Sequence, residues 1–137
     1  ILDGAPADLF LPAAVAWMDV LDAAGRIRTD TRRDLFGNTL VLVAHGGAAP
    51  PVAIGPGFDL AGLLGDGRLA MAMVDAVPAG QYGKAALTSL GVWPTVERNV
   101  AQTENARAAL ALVASGEAPF GIVFGSDAIA AAGTVTV

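Results

Sequence analysis

Leu69-Ala70-Met71-Ala72-Met73, followed by Val77-Pro78-Ala79-Gly80, decides the fold. The first run is apolar without interruption, as expected of a strand buried on both faces. The second opens a helix with proline in its first turn, where the missing N–H costs nothing and the fixed φ suits a helix start. The free N–H groups that follow, beginning at Ala79 and Gly80, have no partner within the helix. Such an end carries roughly half a positive charge and offers a seat for an anion. Thr103-Glu104-Asn105-Ala106 marks a second helix opening. Two such ends facing each other would hold an oxyanion without lysine, arginine or metal. Two ordinary capped helices explain the same residues.

Outward from this pair the chain alternates between strands and helices. Asp8–Leu11 is a short strand, and Ala13–Ala24 a helix with Val15, Trp17, Met18 and Leu21 on its apolar side, stopped by Gly25. Asn38–Ala44 is a second apolar strand, buried on both faces. His45–Gly57 is loop, rich in glycine and proline. Asp59–Leu64 is a short helix, Arg68–Met73 a strand, Ala79–Leu90 a helix, and Glu104–Ser115 another. Gly121–Phe124 is a strand, Ser126-Asp127 cap a short helix, and Thr134–Val137 begins a last strand. The order predicts an α/β fold with a mixed, mostly parallel sheet and ligands at the carboxyl ends of its strands.

Composition narrows the function classes. The 137 residues fit about one domain and are 54% hydrophobic, enough for a real core. The net charge of −5, with 8 lysines and arginines scattered along the chain, argues against nucleic acid or an anionic membrane as partner. The absence of cysteine excludes disulfides and thiolate metal sites and suits any redox compartment. The single histidine, His45, reads as a solvated loop residue with no serine or cysteine elbow to pair with. The thirteen carboxylates show no metal-loop spacing, and Gly80-Gln81-Tyr82-Gly83-Lys84 is too short for a phosphate loop. No catalytic constellation can be assembled, so the chain does not read as an enzyme, and no metal or cofactor site is visible.

Four runs, in order and spacing, resemble the periplasmic molybdate-binding proteins of ABC importers. They are Gly4-Ala5-Pro6-Ala7-Asp8-Leu9-Phe10, Val77-Pro78-Ala79-Gly80-x-Tyr82, Asn105 to Val113, and Gly121 to Ala128. The resemblance implies a class II periplasmic binding fold of two three-layer lobes and, as ligand, molybdate or tungstate in the cleft between them. It implies that the backbone amides of Ala79 and Ala106 donate to the oxyanion. It also implies a membrane permease as partner and a periplasmic location. The departures are specific. Phe124 stands where the family has a tyrosine whose hydroxyl reaches the ligand. Leu11-Pro12-Ala13-Ala14 replaces the common Ile-Ser-Ala-Asp, and Ala72-Met73-Val74 the common Gly-Asp-Pro. The family's first lobe begins upstream of Ile1, with two serine-bearing loops that grip the anion, and its chain continues past Val137.

The expectation is therefore a fragment: residues 1–37 a remnant of the first lobe, 38–132 the ligand-binding second lobe, and 133–137 the start of a return strand. The remnant's apolar residues would favour self-association. The same fold serving a different anion or small solute, or a fragment that binds nothing by itself, are the alternatives.

Overall fold

Strand β2, Leu69–Ala72, is wholly buried because strands flank it on both sides and helices cover both faces. It lies in a computed structural model that describes Ile1–Val137. The chain falls into two compact units, Ile1–Gly37 and Asn38–Val137.

The larger unit is a five-stranded mixed sheet in the order β3-β2-β4-β1-β5. Its strands are β1 (Leu40–His45), β2, β3 (Val100–Thr103), β4 (Phe120–Phe124) and β5 (Val135–Thr136). β2 pairs in parallel with both β3 and β4, while β1 runs antiparallel to β4 and β5. The mixed character is as expected. So is the parallel majority: β2, β3, β4 and β5 run in one sense, and β1 alone enters between β4 and β5 in the opposite sense.

Helices α2 (Leu60–Leu64), α3 (Pro78–Ser89) and α4 (Trp93–Val96) cover one face, burying Leu60, Leu64, Leu87, Val92 and Val96 against Leu69, Met71 and Ile122. On the other face, α5 (Ala106–Ala114) and α6 (Gly125–Ala130) bury Ala109, Leu110, Val113 and Ala128 against Val43, Ala70 and Val123. The two apolar layers arise from alternation along each strand, successive side chains pointing to opposite faces. In β1, Leu40 and Leu42 join the first layer, Val41 and Val43 the second. Only Val43 is fully buried, so the coverage of β1 is partial.

The smaller unit holds one helix, α1 (Val15–Ala23), ended by Gly25 at positive φ. Arg32 ties the chain after α1 back to it, with Nη1 2.8 Å from Asp22 and Nη2 2.5 Å from Asp19. Of the expected apolar side, Leu21 is buried and Met18 half-buried, but Val15 and Trp17 are exposed. Asp8–Leu11 forms no strand, and Leu9 and Leu11 are exposed: no neighbouring strand within this unit offers backbone partners.

One further expectation is corrected: Ser126 and Asp127 lie inside α6, whose N-cap is Phe124. Of residues 133–137, expected to begin a return to the first lobe, Val135–Thr136 form an edge strand of this same sheet, opposite Ala44 and His45. Strand β3 and helix α4 were not anticipated. Both are only four residues long, and neither carries a periodic pattern of its own.

Candidate functional site

The carboxyl ends of β2, β3 and β4 lie together, and α3 and α5 begin beside them. There Ala72, Ala79 and Ala106 form a small buried cluster, against which Val77 and the half-buried Phe124 pack. The three residues singled out from the sequence, Ala79, Ala106 and Phe124, are thus brought to one place.

The approach of α3 to the sheet is as close as backbone permits. A Cβ on Gly80 would lie 2.3 Å from the Ala72 carbonyl oxygen and 2.4 Å from that of Met73. Only glycine lets the first turn of the helix seat there. Pro78 occupies the first helical position and has no N–H. The amides of Ala79 and Gly80 have no acceptor within the protein, and the next bond of the helix runs from Gln81 N–H to the Val77 carbonyl.

The α5 opening is built the same way. Asn105 is its N-cap, extended at φ −159° and ψ 170°, and its Oδ1 accepts from Ala108 N–H at 2.9 Å. Ala109 N–H donates to the Asn105 carbonyl, while the amides of Ala106 and Arg107 have no protein acceptor. Each opening therefore presents two adjacent unpaired N–H groups at the positive end of a helix dipole.

Strand β3, unforeseen in the sequence, links the two openings. Met73 N–H donates to the Thr103 carbonyl at 2.8 Å. Thr103 Oγ1 lies 3.2 Å from the Met71 carbonyl and 2.9 Å from that of Asn105, so its one proton is shared between them. Gln102 Oε1 accepts from Val74 N–H at 3.0 Å. Val100-Ala101-Gln102-Thr103, just ahead of the helix opening, is two apolar residues followed by two polar ones, with neither the alternation nor the continuous apolar run that marks a strand.

Two ion pairs lie near the openings, while the exposed carboxylate of Glu104, just before the α5 cap, has no ion-pair partner. Lys84 Nζ lies 2.8 Å from Asp75 Oδ1 and 5.6 Å from the centre of the Trp93 ring, and Arg107 Nε lies 3.4 Å from Asp127 Oδ1. A shallow groove between α5 and α6, lined by Leu110, Ala111, Ala130 and Ala131 among others, contains none of Ala79, Ala106 and Phe124. His45 does not sit freely in a loop. It ends β1, and its Nδ1–H donates to the Val113 carbonyl at 2.8 Å, pinning the strand to the last turn of α5. No group of three or more histidines and carboxylates is placed to hold a metal ion, and no helix is long and apolar enough to cross a membrane.

A family model of bacterial extracellular solute-binding proteins matches residues 1–137. The chain is 45% identical over 140 residues to the molybdate-binding protein ModA of Escherichia coli (strain K12), covering 98% of this chain and 52% of that one. It is 41% identical over 127 residues to ModA of Haemophilus influenzae, covering 92% and 50%. Among solved structures, the substrate-binding domain of a putative molybdenum ABC transporter from Clostridium difficile superimposes with a TM-score of 0.71 at 31% identity, over 98% of this chain and 56% of that one. The chain thus spans about half the length of the curated relatives it matches. It belongs to the bacterial extracellular solute-binding protein family.

Proposed function

We propose that this member of the extracellular solute-binding family carries the molybdate- or tungstate-binding lobe of an ABC importer's substrate-binding component, working in the periplasm beside a membrane permease. Asn38–Val137 is that lobe and Ile1–Gly37 part of the other one. The protein binds; it catalyses nothing and needs no cofactor, molybdate being its cargo. The amides of Ala79 and Ala106 donate to the oxyanion, with Phe124 at the rim.

One observation carries this reading. Two helices of 12 and 9 residues open at a single buried cluster, each with two amides that no protein group satisfies. Hydrogen bonds from such amides to a charged oxygen are shorter and roughly twice as strong as neutral ones. The field is local, so an acidic chain can bind a dianion through it. The named ligands of the relatives in Escherichia coli and Haemophilus influenzae choose the oxyanion.

The test is a melting-temperature titration with molybdate, tungstate and sulfate. Millimolar molybdate and tungstate are expected to raise Tm more than sulfate does. Micromolar concentrations are expected to leave the Tm of these 137 residues unmoved, because they span about half the length of the relatives and a full two-lobed closure over the ligand is what excludes water. A response to no anion at any concentration, or an equal response to all three, overturns the assignment.

A further inference from the structure

Two openings can grip one tetrahedral anion only if the distance between them is fixed. Helix propensity does not fix it, and a cluster of three alanines offers no directional bond that would. Three bonds from the end of β3 span the gap. Gln102 Oε1 holds Val74 N–H in the turn that leads into α3. The Thr103 carbonyl holds Met73 N–H one residue earlier. Thr103 Oγ1 reaches both the Met71 carbonyl on β2 and the Asn105 carbonyl at the α5 cap.

Gln102 is exposed, yet its side chain is committed to a buried residue's backbone. A solvated strand residue would have no reason to turn inward there. From the far side, Gln81 Nε2 donates to the Asp75 carbonyl at 3.1 Å and Lys84 pairs with the Asp75 carboxylate, so the turn from Val74 to Val77 is strapped from both directions.

We infer that Gln102 and Thr103 are positioning residues for the oxyanion: they set the α3 and α5 amides at a fixed separation and thereby tune affinity and anion size selectivity. This rests on the proposed binding of an oxyanion at those amides. Neither side chain need touch the ligand.

The experiment uses the whole chain and three variants, Gln102→Met, Thr103→Val and Thr103→Ser. Each is assayed for Tm without ligand and for molybdate and sulfate affinity by titration calorimetry. Gln102→Met keeps the length of the side chain but has no oxygen to accept. Thr103→Val keeps the shape and loses the hydroxyl, and Thr103→Ser restores it. Molybdate affinity is expected to fall about tenfold in the first two, the scale of one displaced hydrogen bond to a charged ligand. The ratio of molybdate to sulfate affinity is expected to fall with it. Thr103→Ser is expected to stay within about twofold of the parent, since its bond is intact. A fall in Tm with unchanged molybdate affinity assigns the two residues to stability alone and overturns the inference, as does unchanged affinity at unchanged Tm; both leave the proposed function standing. Failure of the parent chain to bind molybdate, tungstate and sulfate overturns that reading and this inference together.

Discussion

Replacing Ala106 by proline removes one ligand donor and little else. Ala106 is the first residue of α5, the position at which proline is favoured and its missing N–H breaks no helical bond. Proline also demands an extended residue before it, and Asn105 is already at φ −159° and ψ 170°. The Asn105 cap to Ala108 is untouched. What is lost is the N–H that no protein group uses. A hydrogen bond to a charged acceptor contributes about 1.5–3 kcal/mol, so molybdate affinity should fall about ten- to 150-fold. Ala106→Gly keeps the N–H, and its cost is bounded by helix propensity at about 1 kcal/mol, expressed in stability. At a molybdate concentration ten times the parent Kd, ligand stabilises the parent by about 1.4 kcal/mol. A variant binding tenfold more weakly gains only about 0.4 kcal/mol at the same concentration. Calorimetric Kd values for the parent, Ala106→Gly and Ala106→Pro, with circular dichroism to confirm that each folds, separate the two effects. Equal Kd in the glycine and proline variants refutes the amide of Ala106 as a ligand.

Phe124→Tyr is expected to leave molybdate affinity unchanged or tighten it, because it adds a hydroxyl beside Ala72, Ala79 and Ala106; a clear loss in calorimetry argues against an anion at this cluster. Gly80→Ala forces a methyl group against two carbonyl oxygens at 2.3 and 2.4 Å, and backbone cannot yield as a side chain can. It should lower stability by at least the ~1–3 kcal/mol of core overpacking, read from denaturant midpoints, and an unchanged midpoint would show that α3 can slide. Self-association through the apolar surface of residues 1–37, where Leu9, Leu11, Trp17 and Phe36 are 75, 64, 50 and 91% exposed, should appear as dimers in light scattering. A monomer at high concentration counts against it.

The parts of this fold that were legible in the sequence are those where local chemistry and burial agree. The apolar run Leu69–Ala72 became a fully buried interior strand because nothing in it prefers water. The helices expected over 59–64 and 104–115 are present, each starting a residue or two later, with Asp59 and Asn105 as N-caps that accept from the amide three residues on. Gly91 and Gly116, just past two expected helices, stand at positive φ. The convergence of Ala79, Ala106 and Phe124 was suggested by two helix openings and named by a resemblance; spacing alone could not have paired them. The illegible parts depend on partners distant in sequence. Asp8–Leu11 has strand-like residues but no strand to bond. Ser126 resembles a cap, yet Asn38, 88 positions away, bonds its hydroxyl and leaves it within the helix. Gln102 and His45 look like surface residues, and each spends its side chain on a distant backbone group.

A binding surface made of main-chain N–H groups has a particular genetics and a particular acid–base behaviour. Two of its contributors are already alanine, so an alanine scan passes over Ala79 and Ala106 without registering them, and at Gly80 it reports the clash of a methyl group with the sheet and not the loss of an amide. Peptide amides neither gain nor lose a proton in the range in which side chains titrate. Any change in oxyanion affinity across that range therefore reports the protonation of the ligand itself or of side chains, and not of the donors.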